Sequence, residues 1–255
     1  MNLNVGSFKE SLKNVITNLS SVKMFKNHRS LNQTELAWLL DFNYPQTYED
    51  LFSEITRLPY FPKDKQQPFC DSVVIYSLLT AMRENQKEPS ALLEVGKTRF
   101  QNGEIALRNG SVSVQGDIFV EIGSLFLTGN LSIQGNLSDW DESSNIIVLG
   151  NMAATNMSSS GEVVVGGNLK VDNILHLHRN DHALRVEGDI SCRYLINNNH
   201  SVKIGGSVNA ERILDPNKNA DLDFMRSHLK IIGISKENDD LIFESDEYHA
   251  SFFAD

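Results

Sequence analysis

Three groups of residues in this chain have types and spacing that could do chemistry. The densest is His176, His178, Asp181 and His182. Two histidines two apart on a strand share one face and could form a metal pair. A closed or catalytic zinc site needs further ligands at defined spacing, and none is visible, so the segment reads as a polar insertion with no metal. Asp181-His182 as acid–base machinery lacks a visible nucleophile. The second group is Asp139-Trp140-Asp141-Glu142, an aromatic flanked by acids. In an exposed insertion it would suit a hot spot facing a basic partner; equally, the Trp could fold back on its own repeat. The third is the cysteines, Cys70 and Cys192 alone. Two distant thiols exclude a disulfide framework, and Cys192 reads as a small core hydrophobe. No phosphate loop, dinucleotide fingerprint or nucleophile elbow is present. The chain is therefore expected to be no enzyme and to need no cofactor.

The elements that position these residues must come from 255 residues with 40% hydrophobic content and a net charge of −10. That excludes wholesale disorder and argues against nucleic acid or an anionic membrane as direct partner. The charge is uneven. Residues 1–99 carry 12 basic and 11 acidic side chains, 100–214 carry 7 and 12, and 215–255 carry 4 and 10. The acidity outside the first third suits either solubility or a basic partner. No apolar run reaches membrane-spanning length, no secretion leader opens the sequence, and cysteine usage fits a reducing compartment, so the expected location is cytoplasmic.

From residue 112 one pattern keeps returning: apolar, any, apolar, any, Gly, Asp/Asn/Ser, apolar. It appears as VSVQGDI from Val112, LFLTGNL from Leu125, LSIQGNL from Leu131, IIVLGNM from Ile146, VVVGGNL from Val163, LRVEGDI from Leu184 and VKIGGSV from Val202. The alternating pair predicts a short strand with one buried face. The Gly marks a bend or a close backbone approach, and the Asp or Asn a turn residue bonding its own backbone. Glycines 116, 135, 150, 167, 188 and 206 lie 15 to 21 residues apart, about one coil of a three-sided β-solenoid. Apolar pairs three apart, Ala154/Met157, Val171/Ile174, Cys192/Leu195 and Ala210/Ile213, predict a second inward-facing side. Ser138–Asn145, His176–Ala183 and Asn197–His200 read as insertions between coils, which map to loops.

The remainder reads as helical. Phe8, Leu12, Val15, Ile16, Leu19 and Val22 keep a helical period of about five turns. Short helices are expected at Thr34–Leu40, Thr47–Ile55 and from Pro89 to Val95, with LPYFPKDKQQP as a loop. Asp71–Arg83 is apolar nearly all round and reads as a buried helix. The expected organisation is a helical domain or cap over 1–97, a solenoid over 98–214, and an acidic cap and tail over 215–255, with Leu222, Phe224, Met225 and Leu229 forming a helix over the far end. The fold class is α+β: a β-solenoid of about six coils preceded by a helical region.

The repeat resembles two bacterial groups. Bactofilins, polymer-forming cytoskeletal β-solenoids, show similar Gly-Asp/Asn-aliphatic repeats, but they are typically a bare repeat core with short tails, which this chain is not. Strands such as GNLSIQGNL, VVVGGNLKVDNI and LRVEGDISCRYLI, followed by GGSVNAERILDPN, look like longer Gly-Asp/Asn-Leu solenoids resembling immunity proteins of polymorphic toxin and contact-dependent growth inhibition systems. The resemblance covers about residues 105–220. It implies a protein that binds and neutralises a cognate toxin domain, often a basic nuclease, without catalysis. The expected contacts are Asp139, Trp140, Asp141 and Glu142, with Asp239, Asp240, Glu244, Asp246 and Glu247 at the acidic end. A self-assembling structural solenoid is the alternative, and a solenoid enzyme a third.

Overall fold

The computed structural model describes residues 2–26, 33–48, 50–51, 72–85, 93–94, 99–100, 105–139, 144–178, 182–229, 231, 234–237 and 240–243. Its centre is a three-sided solenoid of parallel strands. Five coils carry one strand per side: β1–β3 (Leu93–Glu94, Arg99–Phe100, Ile105–Arg108), β4–β6 (Val112–Val114, Ile118–Val120, Ser124–Leu127), β7–β9 (Leu131–Ile133, Asn136–Asp139, Asn145–Val148), β10–β12 (Met152–Ala154, Asn156–Ser159, Glu162–Val165) and β13–β15 (Leu169–Val171, Ile174–His178, Ala183–Val186). A last turn follows, in which β16 (Ile190–Asn198) runs round a corner across two sides and β17 (Ser201–Ile204) forms the third, with β18 (Val208–Leu214) stacked on β16. The count is close to the six expected. Strand pairing starts at Leu93, ahead of the predicted boundary at 98 and within the segment expected to be helical.

The repeat core is buried as its pattern requires. Val112, Val114, Leu125, Leu127, Val163, Val165, Leu184 and Val186 all belong to one continuous interior, while Val202 and Ile204 of β17 are only half-buried against it. Of the pairs three apart, Ile174 departs. It faces away from the interior, and Leu175 takes the inward place opposite Met157 and Leu195.

Glycine and asparagine form the corner between the third side and the first. Each Asn side chain accepts the backbone N–H of the equivalent residue one coil on. Asn151 N donates to Asn130 Oδ1, Asn168 N to Asn151 Oδ1 and Asp189 N to Asn168 Oδ1, each at 2.8 Å. Ser207 then donates its N–H and hydroxyl to Asp189, at 2.8 and 2.9 Å, and these bonds hold the Asp189 carboxyl below the ordinary carboxylate range. The bonds run between coils, not to the residue's own backbone as expected. The preceding glycines stack so closely that a Cβ on Gly167 would sit 2.4 Å from Asn151 Oδ1. VSVQGDI and LSIQGNL belong to a different corner, from the first side to the second, with Gly116 and Gly135 at its turn. The seven copies therefore occupy two corners, which is why LFLTGNL and LSIQGNL overlap.

The described helices of the N-terminal region pack on the third side and not over an end. Helix α1 (Val5–Asn18), capped by the Asn4 side chain accepting from Ser7 N, continues into 3₁₀ turns at Leu19–Ser21 and Lys23–Phe25. With α2 (Gln33–Asp41) and the largely buried α3 (Ser72–Asn85) it encloses a core that includes Phe126, Ile147, Leu149 and Val164, the outward residues of the third side. Tyr48, Asp50 and Leu51 are helical; the LPYFPKDKQQP loop and Pro89-Ser90 lie outside the described residues. Two carboxylates fix the docking. Glu162 accepts from Arg185 Nε (2.8 Å), Ser72 Oγ (2.9 Å) and Ala183 N (2.9 Å). Glu187 accepts from the backbone N–H groups of Lys23 and Met24 at 3.2 and 3.0 Å.

Helix α4 (Asn219–His228) also leaves the solenoid end uncovered. Leu222 and Met225 pack with Ile174, Ile196 and Leu214 on the outer surface of the second side. An antiparallel pair follows, β19 (Ile234–Glu237) and β20 (Asp240–Phe243).

Candidate interaction surfaces

The predicted contact loop starts later than expected. Ser138 and Asp139 are strand residues of β8, and Asp139 is fully buried, with its neighbour Val120 in one direction and Ser159 in the other. Its Oδ2 accepts from Ser159 Oγ at 2.9 Å and its carbonyl from Ser160 N at 2.7 Å. Asp139 thus ties the corner between the second and third sides and presents no carboxylate to solvent. Trp140, Asp141 and Glu142 lie outside the described residues, as do Asp239, Glu244, Asp246 and Glu247; Asp240 opens β20.

Two of the three predicted histidines are also strand residues, while His182 lies half-buried in the connection after them. His176 and His178 belong to β14, are buried, and stack with ring centroids 4.9 Å apart. His200 is buried beside them, and its Nδ1 lies 3.2 Å from the His178 carbonyl, a contact that places a proton on Nδ1. Ser158 Oγ is 3.4 Å from His178 Nε2. Burial, and then His200, push His176 down to about 3, so this ring is a neutral packing group at ordinary pH. Among the described residues no three His, Cys, Asp or Glu side chains converge on a metal position, and Asp181 lies outside them. Cys192 lines the solenoid interior, and burial pushes its thiol up to about 11. It is a poor nucleophile at neutral pH.

The corner between the second and third sides gathers the variable connections. β8 joins β9 across it through 140–144, and β14 joins β15 across it through 179–182. One coil earlier, Ile122 sits in the same corner at φ 46° and is 48% exposed. A β-branched residue in the left-handed region is strained, and such strain clusters at binding sites. Neither its type nor its spacing marked Ile122 in the sequence.

The first side is the other surface on which no described element packs. Its outward column is Ser113, Ser132, Ala153, Lys170, Ser191 and Asn209, one residue per coil in register, each exposed or half-exposed. The third side is covered by helices and the second by α4 at its far end.

Residues 135–249 match the model of a family described as "Putative Ice-binding-like adhesive domain". No curated protein and no solved structure matches the chain. The matched segment spans the later coils, α4 and the β19–β20 pair, and the helical region lies outside it. No helix among the described residues is long and apolar enough to cross a membrane.

Proposed function

We propose that this chain is a non-catalytic binding protein of the immunity type, which captures and neutralises a basic toxin domain. The observation that carries the reading is the corner between the second and third sides. There, the connection holding Trp140, Asp141 and Glu142 crosses one coil after the exposed, strained Ile122. An aromatic with acids next to it in sequence, on the connection that follows an exposed apolar residue, suits a partner that must present Lys and Arg to bind phosphates. The resemblance of the Gly-Asp/Asn-Leu repeat to immunity solenoids supports the same reading. Such a protein acts in the cytoplasm, by contact alone.

The test is co-purification with the product of a neighbouring toxin gene, followed by binding kinetics. Charge reversal of Asp141 and Glu142 should slow association, and Trp140→Ala or Ile122→Ser should speed dissociation, with binding weakening as salt rises. Absence of any toxin partner, or binding indifferent to all four changes and to salt, would refute it.

A second reading has its own support. The family match and the regular, mostly polar outward column on the first side favour an adhesive surface that contacts an extended, repetitive target. Ser132→Tyr with Ser191→Tyr would abolish contact on that reading and leave toxin capture intact.

A further inference from the structure

Among the described residues, no element lies over the far end of the solenoid. Among the described residues, β17 pairs only with β15 and β18 only with β16, so both carry a free hydrogen-bonding edge. The core columns run out here into solvent. Ile118, Leu137, Met157, Leu175 and Leu195 are stacked in register and at most 7% exposed, whereas the next in the column, Ile213, is 62% exposed. Val208 ends the column of Val112, Leu131, Met152, Leu169 and Ile190 in the same way, at 37%. Helix α4, which could have capped the end, lies instead on the outer surface of the second side. An apolar, unprotected strand edge is a template for another strand.

We propose that this end pairs with the same end of a second copy, β18 running antiparallel to β18 about a two-fold axis. The β18 sequence, VNAERIL, selects both occupant and register. With the axis between Glu211 and Arg212, each Glu211 faces the other copy's Arg212, giving two opposite-charge cross-strand pairs. These side chains are 70% and 41% exposed; within one copy Glu211 meets Arg193 at 3.2 Å and Arg212 meets Asp221 at 3.0 Å, both solvent-facing contacts beside which the cross-copy pairs would form. The same register sets Ala210, an inward residue, opposite inward Ile213, so the large exposed side chain covers a small one. It also sets Asn209 opposite Leu214, both from outward positions. Moving the axis onto Glu211 would oppose Glu to Glu and Ile213 to Asn209. The pairing is closed, so it yields a dimer and not a filament.

The full-length chain should sediment as a concentration-dependent dimer. Ile213→Lys should weaken self-association roughly tenfold to a hundredfold with unchanged melting, since this side chain is solvated in the single copy. Glu211→Arg alone and Arg212→Glu alone should each weaken it at least about tenfold, whereas an equimolar mixture of these two variants should form a mixed dimer, because basic positions then face acidic ones. A chain monomeric at every concentration, species growing beyond the dimer, a dimer indifferent to Ile213→Lys, or no pairing in the mixture would each overturn the proposal.

Discussion

Replacing Glu162 by Ala should strike the junction between the helical region and the solenoid. The carboxylate and the Arg185 guanidinium are 14% and 12% exposed, and the carboxylate also accepts from Ser72 Oγ of α3 and from Ala183 N. Glu162→Ala leaves a nearly buried guanidinium whose remaining neighbours include the Met24 carbonyl at 3.4 Å and the Phe25 ring at 6.0 Å. Removing one partner of such a pair costs about 3–5 kcal/mol, and the residual exposure puts this case near about 3 kcal/mol. That is a large share of the roughly 5–15 kcal/mol that holds a domain folded. Glu162→Gln keeps an acceptor for Arg185 and should cost about half as much. Replacing both Glu162 and Arg185 by Met should recover most of the loss, since no charge is then left buried. Urea unfolding followed by circular dichroism reads these differences as midpoint shifts. Hydrogen exchange should show amides of α1 and α3 opening before those of the coils. The exposed pair Arg193–Glu211, 54% and 70% exposed, is the control, and Glu211→Ala should cost no more than about 1 kcal/mol. A Glu162→Ala loss as small as that control would refute the reasoning.

Gly167→Ala should destabilise the chain by about 1–3 kcal/mol, measured by thermal or urea unfolding, because the added Cβ meets Asn151 Oδ1 at 2.4 Å and the backbone of Gly150 at 3.0 Å. His176 is neutral in the fold, with its pKa lowered from 6.5 to about 3, so its contribution to stability is complete above pH 6.5 and is lost as pH falls from there towards 3. The unfolding free energy should fall across that window by up to about 1.4 kcal/mol per pH unit, with the melting temperature falling alongside, and His176→Leu should flatten the slope; an unchanged slope would show that the ring is not the titrating group.

The solenoid was legible in the sequence because period-two apolar pairs followed by Gly-Asn leave little choice of local structure. Which corner each copy occupies was not legible. VSVQGDI and VVVGGNL obey the same local rules, and only pairing register places them on different corners. The docking of the helices did leave a signal that local patterns passed over. Strands of the first side read VSV, LSI and LKV, with a polar outward residue, whereas those of the third side contain LFL, IIV and VVV. An uninterrupted apolar strand is buried on both faces, so Phe126, Ile147 and Val164 already required a covering layer. The candidate contact site was half legible. Trp140 and its acids stood out by type, but the burial of Asp139, His176 and His178 depends on which strand ends where, and polar residues on short strands look like loops.

The order in which the helices and their platform occur along the chain matters during synthesis. The backbone of Lys23 is held by Glu187, 164 residues later. At about 5–20 residues per second, the 3₁₀ turn emerges roughly 8–30 s before its anchor exists. Early in that interval, once α3 is made and before residues 126–164 follow, Phe8, Phe25 and the apolar surface of α3 have each other but not Phe126, Ile147 or Val164. A nascent chain carrying such a half-covered apolar surface is a client for chaperones that hold unfolded segments. Slowing translation of the later coils should therefore lower the yield of soluble protein more than slowing translation of the first hundred residues.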